Sequence, residues 1–75
     1  MPSARLIAER KLPPPGTRRI LREIAGLQVS ELAERLGVGR QCVWRWEKGH
    51  RTPQGANRER YAAFLEAARE SILES

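Results

Sequence analysis

One cysteine and one histidine, Cys42 and His50, are all that 75 residues offer in the way of thiol and imidazole. A lone thiol closes no internal disulfide, and no Cys/His grouping has the spacing of a zinc site. A chain this short must therefore hold itself together through its own apolar core or a dimer interface, with no metal and no cofactor expected. There is no apolar run of signal-peptide or membrane-spanning length. The expected setting is reducing and cytoplasmic, with no membrane partner. Nowhere do a nucleophile, a base and oxyanion donors combine, and Glu31, Glu34, Glu66 and Glu70 read as solvated helix faces with neighbours three or four residues away, so no enzyme is expected. Repeats and low-complexity tracts are absent, and no ligand-sensing domain is expected within this length.

What the chain does have is positive charge, +5 from fourteen Lys and Arg against nine Asp and Glu. Residues 1–27 carry six basic and two acidic side chains, residues 28–53 five and three, and residues 54–75 three and four. The surplus lies on the first two thirds and vanishes at the end, which suits a polyanion docking on the earlier part.

Residues 1–11 place Leu6 and Ile7 among Arg5, Glu9, Arg10 and Lys11, a pattern open to a single helical turn or a loose basic arm, with the arm preferred. Pro13, Pro14 and Pro15 predict an extended entry, followed by Gly16 and a Thr17 cap. A first helix is expected over 17–25, with Leu21 and Ile24 inward, Ile20 a third candidate, and Arg18, Arg19 and Glu23 in solvent; Gly26 ends it and Leu27 returns to the core. Two short helices follow over 29–36 and 40–48, closed by Gly49 and a polar loop of His50, Arg51, Thr52 and Pro53. Residues 56–73 contain no breaker and predict one long helix whose apolar side is Tyr61, Phe64, Leu65, Ala68, Ile72 and Leu73. The fold class expected is all-α, a small bundle of about four helices in one domain over 12–75.

The two short helices carry the functional signal. Val29, Leu32, Ala33 and Leu36 form the i, i+3, i+4, i+7 stripe of a half-buried helix, and Val38, Val43 and Trp46 continue the apolar face beyond Gly37. A tight turn needs the positive φ that Gly37 tolerates, and a close helix crossing needs the small side chain of Ala33. Ala33, Gly37, Val43 and Trp46 thus outline a helix-turn-helix over 29–48. With Val43 and Trp46 inward, the 100° helical step turns Arg40, Gln41, Trp44 and Arg45 outward. Arg suits the O6 and N7 acceptors of guanine and Gln the paired donor and acceptor of adenine, so these positions are candidates for base reading in the major groove. Trp44 fits either a thymine methyl or sugar, or packing on the long helix or a partner subunit. Lys48, His50 and Arg51 are candidate phosphate contacts, as are the free N–H groups at Gly39 and Arg40. Cys42, beside Gln41, reads foremost as a small half-buried side chain, with contact at the groove edge as the alternative.

The run Arg45-Trp46-Glu47-Lys48-Gly49 with the later Pro53 resembles the "R-W-E-x-G" and trailing "T-P" ending of the Cro/phage-repressor (Xre-type) helix-turn-helix family. The resemblance covers roughly residues 18 to 66. It implies a structural ion pair between Arg22 and Glu47, because that family commonly pairs an arginine late in its first helix with the glutamate of the "WE" dipeptide. Gln28, Val29 and Gly39 depart from the family's usual caps and backbone contact, so the DNA-facing chemistry belongs to this chain. The resemblance further implies a transcriptional regulator of double-stranded DNA, foremost a Cro-like repressor of phage type. A homodimer would span two half-sites roughly 34 Å apart, with Ile72 and Leu73 as the candidate dimer surface. It is also compatible with an antitoxin that binds a toxin protein and represses its own operon, or with a phage or plasmid accessory factor.

Overall fold

The computed structural model describes residues 12–74. Among these, four helices follow one another: α1 (Pro15–Ile24), α2 (Val29–Leu36), α3 (Arg40–Lys48) and α4 (Gly55–Glu74). Among the described residues there is no strand, and the helices pack as a small all-α bundle. The arm expected over 1–11 lies outside the described residues.

The helix α2, the Gly37 turn and α3 follow from local chemistry. Glu31 reaches back so that its carboxylate accepts the Gln28 backbone N–H at 2.8 Å, closing the start of α2. At its other end Gly37 adopts φ +72°, and the Val38 N–H donates back to the Ala33 carbonyl at 3.0 Å. A residue with a Cβ resists that left-handed conformation, which is why glycine terminates the helix cleanly. Gly49 repeats the device after α3 with φ +80°, and there a second constraint applies: an added Cβ would stand 3.1 Å from Pro15 Cγ. The end of α3 therefore sits directly on the start of α1.

Nine residues form the buried centre: Leu21 from α1, Leu32, Ala33 and Leu36 from α2, Val43 and Trp46 from α3, and Tyr61, Leu65 and Ala68 from α4. Leu12, Leu27, Val29, Val38 and Phe64 pack around it. Trp46 and Tyr61 meet with ring centroids 4.9 Å apart, joining α3 to α4. Ala33 is buried where α2 meets α3, the closest-packed pair of short helices.

Helix α1 departs from its sequence-based outline in three ways. It starts at Pro15 and not at Thr17, with Pro14 as an extended cap residue, because proline at the first helical position loses no intrahelical N–H bond. Arg18, expected in solvent, is buried: its Nε donates to the Pro13 carbonyl at 2.7 Å and its Nη1 to the Trp46 carbonyl at 2.9 Å. Ile24 and Ile20, expected inward, are 52% and 54% exposed. One cause explains the last two. The inner face of α1 is Arg18, Leu21 and Arg22, at i, i+3, i+4, because it must satisfy the Trp46 carbonyl and the glutamate of α3 as well as bury apolar area.

Candidate nucleic-acid interface

Helix α3 is clamped from behind. Arg22 donates Nε to Glu47 Oε2 at 2.5 Å and Nη2 to Glu47 Oε1 at 3.1 Å, while its Nη1 reaches the Leu27 carbonyl at 2.8 Å. Both side chains are nearly out of solvent. The hydrogen bond to Glu47 holds the Arg22 guanidinium above its ordinary pKa despite burial, whereas burial lowers that of Arg18. One arginine of α1 thus grips the glutamate of α3 and the other grips its Trp46 carbonyl, so the roll of α3 about its axis is set by two charged groups as well as by Val43 and Trp46.

With Val43, Trp46 and Glu47 inward, the outward stripe is Gln41, Trp44, Arg45 and Lys48, at i, i+3, i+4, i+7, and all four are exposed. Arg40 is exposed at the first position of the helix, and Gly39 precedes it in extended conformation with no side-chain cap bond. The Cys42 N–H donates to the Gly39 carbonyl at 3.1 Å, and the amides of Arg40 and Gln41 stand at the helix start, where no preceding turn offers an acceptor. The one acidic residue of α3, Glu47, is buried and neutralised, so every exposed charge from Gly39 to Arg51 is positive. The guanidinium groups of Arg40, Arg45 and Arg51 are in no hydrogen bond or ion pair among the described residues.

Beyond α3 the Arg45 carbonyl accepts the backbone N–H of Gly49 and also those of His50 at 2.9 Å and Arg51 at 3.4 Å. This turn pins His50 and Arg51 at the end of the helix. The His50 ring meets Trp44 edge to face, with centroids 5.5 Å apart at 78°, and Lys48 Nζ stands 5.8 Å over the same indole. Trp44 therefore packs against residues at the end of its own helix. Cys42, read from sequence as half-buried, is exposed and lines a cleft of about 270 Å³ together with Arg45, Arg51, Thr52, Gln54 and Asn57. The polar residues of this cleft at the start of α4 were missed in the sequence; the only signal for them was their place ahead of a helix N-terminus, which by itself does not say what lies opposite.

Residues 19–73, more than half of the chain, match the family model described as a helix-turn-helix domain. The chain belongs to the helix-turn-helix domain family. No curated protein and no solved structure gives a significant match. In this helix-turn-helix protein α2 is the first helix of the motif, Gly37 its turn and α3 the second helix, the one that in such motifs lies in the major groove. The matched segment also takes in α1 from Arg19 onward and α4 up to Leu73, so it reaches beyond the two helices of the motif. Ile72 and Leu73 lie on the last turn of α4, 40% and 75% exposed. Within the described residues no helix is long and apolar enough to cross a membrane.

Proposed function

We propose that this helix-turn-helix domain is a sequence-specific transcriptional regulator of the Cro-like repressor type, which occupies an operator by laying α3 in the major groove. The observation that carries the reading is the one-sided chemistry of α3: Gln41, Trp44, Arg45 and Lys48 exposed on one stripe, and its only carboxylate buried against Arg22. Arg40, Gln41, Trp44 and Arg45 read base edges in this proposal, and Gly39, Lys48 and Arg51 set register through phosphates, with His50 beside them. Arg22 and Glu47 are structural, together with Ala33, Gly37, Val43 and Trp46. Such a protein works by occupancy and needs no catalytic group, and its place is the cytoplasm and nucleoid of a bacterial or phage-infected cell.

One recognition helix covers few base pairs, which favours a homodimer on two half-sites. The exposed Leu73 and Ile72 at the end of α4 support that arrangement. A second reading, an antitoxin-type regulator that also holds a protein partner, is favoured by the unexpected exposure of Ile20 and Ile24 on α1.

The test is selection of bound sequences from random duplexes at physiological salt, with wild type beside Arg45→Ala. A palindromic motif enriched by wild type and relaxed in the variant is the expected result, since one good bidentate contact discriminates by about 1–3 kcal/mol. Binding that is salt-sensitive but blind to sequence refutes the operator reading.

A further inference from the structure

Trp44 is a large aromatic side chain left 47% exposed on a helix whose other tryptophan, Trp46, is buried. It is held in place nonetheless. The His50 ring braces its edge at 5.5 Å and 78°, and His50 is itself tied through its N–H to the Arg45 carbonyl at 2.9 Å. Lys48 Nζ stands over the indole at 5.8 Å. A side chain braced in this way before any partner arrives loses little rotamer freedom on binding, which is how a rigid contact group is made. Its neighbours on the stripe, Gln41 and Arg45, are polar groups suited to base edges. Between them the indole presents apolar area to a groove whose base edges offer one apolar group, the C5 methyl of thymine.

We propose that Trp44 recognises the methyl group of a thymine in the major groove, and that His50 is the positioning residue that holds the indole for it. The assignment rests on the DNA-reading function proposed above. It makes Trp44 a specificity-determining residue and moves His50 from phosphate contact to support of its neighbour. Lys48, whose Nζ stands over the ring, supplies the charge that draws the strand backbone toward the same place.

The experiment replaces each thymine of the selected site, one at a time, by deoxyuridine, which removes the methyl group and leaves pairing intact. Kd is then measured for the wild type, Trp44→Ala and His50→Ala. The wild type is expected to bind about fourfold more weakly when one particular thymine per half-site is replaced, the Boltzmann equivalent of one lost buried methyl group. Trp44→Ala should show a ratio of about one at that position, and His50→Ala a ratio clearly below the wild type's. The ratio compares two duplexes on the same protein preparation, so a variant that folds less completely lowers both affinities and leaves it unchanged. A flat scan on an enriched site, or an enriched site without a required thymine under α3, overturns this inference alone. A full ratio in Trp44→Ala overturns the reading of Trp44, and a full ratio in His50→Ala overturns the positioning role. Failure to enrich any site overturns the operator reading and this inference together.

Discussion

Replacing Glu47 with alanine removes the carboxylate that receives two hydrogen bonds from Arg22 and leaves that guanidinium with the Leu27 carbonyl alone. A buried charge deprived of its counter-charge costs roughly 3–5 kcal/mol, far more than the pair contributes relative to two apolar groups of the same volume. A domain of 75 residues has a total stability of roughly 4–11 kcal/mol, so the substitution should consume a large part of it and lower Tm by roughly 12–24 °C at the lower end of that cost. Urea unfolding followed by tryptophan fluorescence measures the loss, because Trp46 is buried beside the pair. Arg19 and Glu23 supply an internal comparison: they form an ion pair at 3.0 Å one helical turn apart, but with side chains 60% and 50% exposed, and Glu23→Ala should cost no more than about 0.5 kcal/mol. The double variant Arg22→Met with Glu47→Leu should recover most of what Glu47→Ala loses. If Glu47→Ala is no worse than Glu23→Ala, the pair does not clamp α3.

Tyr61 is the single tyrosine of the chain, so its titration can be followed by ultraviolet absorbance without interference from another phenol. Burial, with the Glu47 carboxylate adding to it, pushes the phenol well above the ordinary value of 10.0. Because the folded pKa is raised, stability from this group is whole below the unfolded value and falls as pH climbs above it toward the folded one. The titration step should come late and coincide with unfolding, and an ordinary reversible step near 10 would contradict the burial. Its hydroxyl has no hydrogen-bond partner among the described residues, so Tyr61→Phe should be neutral or stabilising by up to about 1 kcal/mol and should remove the alkaline loss. Gly37→Val puts a β-branched residue at φ +72° where a Cβ would meet nothing within 4 Å, so its cost is backbone strain, about 1–2 kcal/mol or more by thermal unfolding. An unchanged Tm would show that the turn does not need glycine.

The helices α2 and α3 were legible residue by residue because everything that defines them is local: a period of apolar positions, and glycines whose positive φ ends each one. The outward placement of Gln41, Trp44 and Arg45 followed from the same period once Val43 and Trp46 were assigned inward. What touches Trp44 did not follow, because the contact with His50 depends on how tightly the chain turns at Gly49. Cys42 was misplaced for a related reason: it lies on the flank of α3 beside a cleft, where burial depends on the loop opposite.

By itself the amino-acid sequence determined the four helices of the described residues, the motif over 29–48 and the sign of the charge that its second helix displays, since periodicity, glycine and composition are properties of neighbouring residues. The tertiary structure alone decided the face of α1. Periodicity ranks Ile20 and Ile24 as core and Arg18 as surface, and the fold reverses both, because Arg18 and Arg22 find their acceptors 28 and 25 residues away on α3. Burying a guanidinium is unfavourable until such partners exist, and only the packed helices bring them within reach.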